Sequence, residues 1–99
     1  MSPAPPAVII GSRAAVDVAV ATEWYELRRQ GLGEAFVRAL DRAFQRLQEA
    51  PESGKSVHGR IRRVHLTRFP FAVFYCLDRD AIVVLAVVHS RRSPAAWPR

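Results

Sequence analysis

Several things are scarce in this chain. It has one cysteine, Cys76, one lysine, Lys55, and no apolar run longer than the eight residues Ala81 to Val88. A single thiol can close no intramolecular disulfide, which excludes a secreted disulfide scaffold and makes the cytoplasm the expected compartment. Eight apolar residues fall far short of the about 20 that a membrane-spanning helix needs. The opening Met-Ser-Pro-Ala-Pro-Pro-Ala has neither the basic nor the apolar stretch of a signal peptide, so no membrane partner is expected. No Cys/His cluster has metal-ligand spacing, and no Ser-His-acid arrangement is suggested. No cofactor or metal is therefore expected. What is present, 49% apolar and 24% charged residues over 99 positions, suits one folded domain with one modest core.

The fifteen bases outnumber nine acids, and fourteen of the fifteen are arginine. Residues 1–59 balance, with seven of each sign. Residues 60–99 hold eight arginines against Asp78 and Asp80, so the whole net charge of +6 sits there. Arginine favours planar, bidentate contacts to carboxylate or phosphate, and an anionic partner follows, either nucleic acid or an acidic protein.

Three prolines within the first six residues make residues 1–7 a flexible segment, with a single domain over 8–99. Ala7-Val8-Ile9-Ile10 reads as a short strand closed by Gly11, and Ser12 as the N-cap of a helix to about Arg29. Val16, Val20, Trp24 and Leu27 recur at helical spacing and predict the stripe that faces the core, which leaves Tyr25 at its edge. Gly31-Leu32-Gly33 reverses the chain; it follows a helix and lacks a lysine, so it is not a phosphate loop. A second helix is predicted from about Glu34 to Glu49, stopped by Pro51 and Gly54, so the two helices form a hairpin. After a polar loop through Gly59, strands are predicted at Arg60–Thr67, Phe71–Leu77 and Ala81–His89. Phe71, Val73, Tyr75 and Leu77 share one face of the middle strand, and Ala72, Phe74 and Cys76 share the other. The fold class is α+β, with an N-terminal strand, a helix hairpin and a three-stranded antiparallel meander, the helices packed on one sheet. In the tail, Trp97 is expected to fold back as an anchor.

The segments Ala-Thr-Glu-Trp-Tyr-Glu (21–26), Gly-Leu-Gly-Glu-Ala-Phe (31–36), Leu-Gln-Glu-Ala-Pro (47–51), Arg-Phe-Pro-Phe-Ala-Val-Phe-Tyr (68–75) and Val-Val-His-Ser-Arg-Arg-Ser-Pro-Ala-Ala-Trp (87–97) together resemble the RelE/ParE superfamily. These are toxins of bacterial type II toxin–antitoxin systems. The resemblance runs from about Val8 to Trp97. It implies a growth-inhibiting toxin held inactive in a hetero-oligomer with a cognate antitoxin, part of which folds over the sheet and the helix hairpin. RelE-like members cleave messenger RNA on the ribosome, whereas ParE-like members inhibit DNA gyrase without established catalytic residues. A member that has lost toxicity is a third outcome.

Metal-independent RNA cleavage needs a general base, a general acid and a cation on the phosphate. Nucleases of the superfamily carry an arginine three positions ahead of a strand tyrosine, and counting back from Tyr75 gives Ala72, whose methyl group cannot serve. A nuclease would have to use His89, which ends the last strand, with Arg63 and Arg91. His89 otherwise caps the strand and positions the tail. The antitoxin or target would meet Arg60, Arg62, Arg63, Arg68, Arg91, Arg92 and Tyr25. The ParE-like, gyrase-binding reading comes first on this pattern, and the ribosome-dependent endoribonuclease is its alternative.

Overall fold

The computed structural model describes residues 4–91 and Pro98. Strand β1 (Ala7–Ile10) is followed by helices α1 (Ser12–Arg28) and α2 (Leu32–Glu49) and strands β2 (Lys55–His58), β3 (Ile61–His65), β4 (Phe71–Asp78) and β5 (Ala81–His89). One five-stranded sheet has the order β1-β5-β4-β3-β2. Strand β1 runs parallel to β5, and the remaining neighbours are antiparallel. The helix hairpin covers one face of this sheet.

Three expectations about local structure need correcting, two of them in strand β2 and helix α1 and one at a helix cap. Lys55–His58, predicted as polar loop, pairs with β3 as an edge strand, so the meander has four strands. Its only apolar residue, Val57, reaches the cluster on the helix-free face, and one residue gives no alternation to detect. The second correction concerns α1, which carries two apolar stripes. Ala14, Val18, Ala21 and Tyr25 pack inward, while Val16, Val20, Trp24 and Leu27 are 61%, 63%, 50% and 81% exposed. Small alanines let the helix axis approach the sheet, and the Tyr25 ring then fills the wider end. The spacing was helical for both stripes and did not reveal which one turns inward.

Glycines settle where the helices begin. Gly11, not Ser12, is the N-cap of α1, and its N–H donates to Val84 O at 2.9 Å; a Cβ there would lie 3.0 Å from the same oxygen. Gly31, with φ of 87°, caps α2, which starts at Leu32. The Glu26 carboxylate accepts the N–H groups of Gly31 and Gly33 at 3.0–3.1 Å, placing an anion at the positive end of α2. We therefore expect Glu26→Ala to lose about 1–2 kcal/mol in urea unfolding, from orphaned amides and a lost dipole contact. Glu26→Gln should restore part of that loss.

The core has two sides. Phe36, Leu40 and Ala43 of α2 meet Val73, Val84, Val87 and Tyr25 on the helix face, while Tyr75 and Ile82 pack with Leu47. Ala72, Phe74, Ala86 and Val88 cluster on the opposite face. The predicted alternation along β4 is therefore observed. On β5 it changes phase: Phe74 pairs with Ala86 but Tyr75 pairs with Val84, so Leu85 is an extra residue. Before this bulge Ile82 and Val84 face the helices; after it Val87 and His89 do. Ala7 pairs with Ala81, and Gln48 Nε2 donates to Pro6 O, so ordered contacts begin within the segment expected to be flexible.

Candidate partner-binding groove

Strand β1 ends at Ile10, so the far half of β5 lacks a strand neighbour on that side. Helix α1 takes its place. Asp17 Oδ2 accepts the Val87 N–H at 2.9 Å, which satisfies the bulged strand where a β partner is missing. Asp17 also lies 3.8 Å from Arg13 Nε, one helical turn back. Between α1 and the adjoining ends of β4 and β5 is a groove of about 730 Å³. Arg13, Asp17, Val20 and Trp24 line it from the helix, and Phe71, His89 and Arg91 line it from the sheet.

The wall of this groove is aromatic. Trp24 stands edge-on to Tyr25 at 5.1 Å between ring centroids, Tyr25 meets Phe71 at 6.1 Å, and Phe71 meets His89 at 5.3 Å. The Arg28 guanidinium lies 4.1 Å over the Trp24 ring. His89 Nδ1 accepts the Arg91 N–H at 3.1 Å. Tyr25 itself is 9% exposed, and burial raises its pKa above the usual 10.0. It is therefore a core residue, and the expectation that it sits at the helix edge is corrected: Trp24 holds that place.

The family described as ParE toxin of type II toxin-antitoxin system, parDE, matches residues 8–94. The chain belongs to the ParE toxin family. A solved structure titled "Chromosomal ParDE TA system from P. aeruginosa" shares the fold, with a TM-score of 0.74 and 18% identity over 85% of this chain and 95% of that one. No curated protein sequence matches. Membership of a toxin–antitoxin family implies an antitoxin partner.

In this ParE-family toxin the predicted site residues are dispersed. His89 and Arg91 share the groove. Arg63 pairs with Phe74 and His65 with Ala72, residues whose side chains lie on the helix-free face, whereas His89 packs against Phe71 on the helix face. The sheet thus separates Arg63 from His89. Arg60 donates to Leu77 O at 2.7 Å, and Arg62 donates to Glu52 O and Gly54 O at 3.0 and 2.8 Å, so both bind backbone near the ends of neighbouring elements. Arg68 is exposed in the β3–β4 turn with φ of 77°. Arg92 and Trp97 lie outside the described residues. Cys76 is half-buried on the helix-free face.

Sequence reasoning missed Arg13 and Asp17. Asp17 carried a signal, being the one acid flanked by Ala14, Val18 and Ala21 on the inward side of α1. Among the described residues no group of three His, Cys, Asp or Glu could hold a metal ion, and no helix is long and apolar enough to cross a membrane.

Proposed function

We propose that this toxin arrests growth by binding a protein target, DNA gyrase, and that a cognate antitoxin neutralises it by covering the binding surface. The observation that supports this reading over RNA cleavage is the environment of position 72. Ala72 is 2% exposed within the apolar cluster of the helix-free face, and the nearest arginine on β3, Arg63, is cut off from His89 by the sheet. A phosphorane needs its cation and its acid–base group on the same side of the reacting phosphate. Of the expected catalytic residues only His89 and Arg91 share a surface, and the groove that holds them adds a second cation, Arg13, and a carboxylate, Asp17, already bound by the Val87 N–H.

Purified toxin is expected to inhibit gyrase supercoiling at near-stoichiometric amounts. Induction in cells is expected to leave messenger RNA intact while eliciting a DNA-damage response, with growth restored by co-expressed antitoxin. New codon-positioned 5′ ends that vanish with His89→Ala would instead establish the ribosome-dependent endoribonuclease.

A further inference from the structure

The β3–β4 turn holds an arginine in a conformation that arginine disfavours. Arg68 has φ of 77°, in the left-handed region where glycine is at ease and a Cβ crowds the following carbonyl. The turn around it is rigid. The Leu66 N–H donates to Phe71 O at 2.9 Å, the Phe71 N–H to Phe69 O at 2.8 Å, and the Ser90 N–H to Pro70 O at 2.7 Å, which ties the loop to itself and to the end of β5. Phe69 anchors it in the core, edge-on to Tyr25 at 5.0 Å and to Phe36 at 5.4 Å. Arg68 itself is exposed, and its side chain makes no hydrogen bond or ion pair with the described residues. No acid stands between His65 and Val73 to hold it. Glycine would keep the same backbone without the crowding, so the fold alone gives no reason for an arginine here.

We propose that Arg68 is a target-binding residue, which the strained turn presents to carboxylates on the protein that the toxin inhibits. The inference rests on the reading of the toxin as an inhibitor that binds a protein, and it names a contact for that binding. An arginine on a rigid turn has less freedom to lose on association, and its planar fork pairs with a carboxylate through two bonds. His65, exposed at the end of β3, adds a donor beside the turn. Arg60 and Arg62 are engaged with backbone carbonyls and have less to offer. A phosphate backbone would draw on several cations at once, whereas Arg68 is the one arginine or lysine between Val64 and Asp78. Arg79 provides the comparison within the molecule. It also has a left-handed φ, of 56°, in the β4–β5 turn, but it stands between Asp78 and Asp80, whose charges oppose the approach of an acidic surface. The two turns share the backbone strain and differ in what they present.

The test uses the full chain, gyrase holoenzyme and the variant Arg68→Gly, with Arg79→Gly as its control. Glycine adopts both turns without crowding, so each variant is expected to melt within about 5 °C of the parent, the relieved strain offsetting a freer unfolded chain. Arg68→Gly should raise the toxin concentration that half-inhibits supercoiling by more than about tenfold, and Arg79→Gly by less than about twofold. Interferometry of toxin binding to gyrase without DNA should rank the two variants in the same order. Undiminished inhibition by Arg68→Gly would overturn the assignment. So would a melting temperature lowered by more than about 10 °C, which would make the arginine a structural part of its turn. An equal loss in the two variants would trace the effect to turn conformation, and a loss confined to DNA-bound gyrase would assign the guanidinium to phosphate; either result also overturns the proposal. A parent toxin that leaves gyrase active sinks the gyrase reading by itself. The variants are then ranked by the inducer level that arrests growth, where equal levels for Arg68→Gly and the parent overturn the role of Arg68.

Discussion

Gly54→Ala is expected to lower stability by about 3–5 kcal/mol, combining overpacking with the loss of one buried and one part-buried hydrogen bond. For a domain of this length that is a fall in Tm of about 15–30 °C in calorimetry. The reason lies in the clamp between the α2–β2 loop and β4. The Gly54 N–H donates to Tyr75 Oη at 2.9 Å, and Oη donates to Pro51 O at 2.8 Å. A Cβ at position 54 would lie 2.5 Å from that oxygen and 3.0 Å from Arg63 O. Tyr75 is fully buried and cannot withdraw without giving up both bonds. Tyr75→Phe alone should cost about 1–3 kcal/mol, and the double variant less than the sum, because the hydroxyl's bonds can be lost only once. Additive costs would show that the alanine methyl leaves the clamp intact.

The same hydroxyl sets an alkaline limit. Burial raises the Tyr75 pKa, opposed in part by the Gly54 N–H and by Arg62, and burial also raises that of Tyr25. A phenol held above its unfolded value of 10.0 keeps its contribution below that pH and loses it as pH rises further. Stability should therefore decline above pH 10, less steeply in Tyr75→Phe.

The second large effect is expected at Phe36. Its ring is fully buried, stacked on Tyr25 at 5.3 Å and edge-on to Phe69 and Phe71 at 5.4 and 5.1 Å. Phe36→Ala should cost about 3–5 kcal/mol, a large part of the about 5–15 kcal/mol that holds a domain of this kind together. Because Phe71 in turn supports His89, the vacancy should also disturb the groove. Near-ultraviolet circular dichroism and the His89 ring resonances would register it. Phe36→Leu, which keeps most of the volume, should recover more than half of the lost stability.

The order of elements was legible because their patterns are clear: α2 has a single apolar face, and β4 is a continuous apolar run bounded by Pro70 and Asp78. Strand β2 was not legible, since Lys-Ser-Val-His has one apolar residue and gains its hydrogen bonds only from β3. The orientation of α1 was hidden for a different reason. Both of its stripes are apolar at helical spacing, and the choice between them is made by the close approach that alanine permits and by the aromatic partners of Tyr25, which come from distant segments. The candidate site was half visible. His89 and Arg91 were found from their place at the end of a strand, while Arg13 and Asp17 joined them only through a contact 70 residues apart in sequence.

The extra residue at Leu85 has a consequence for comparing this chain with its relatives. Positions 86 to 89 are read out of phase with positions 81 to 84, so an alignment that matches strand ends residue by residue will pair side chains that point to opposite sides of the sheet whenever one chain has the bulge and the other does not. Two family members could then share a histidine in their alignment and not in space, and two others could share one in space with none aligned. Sorting these toxins by target from their strand-end residues first requires counting the residues of the last strand.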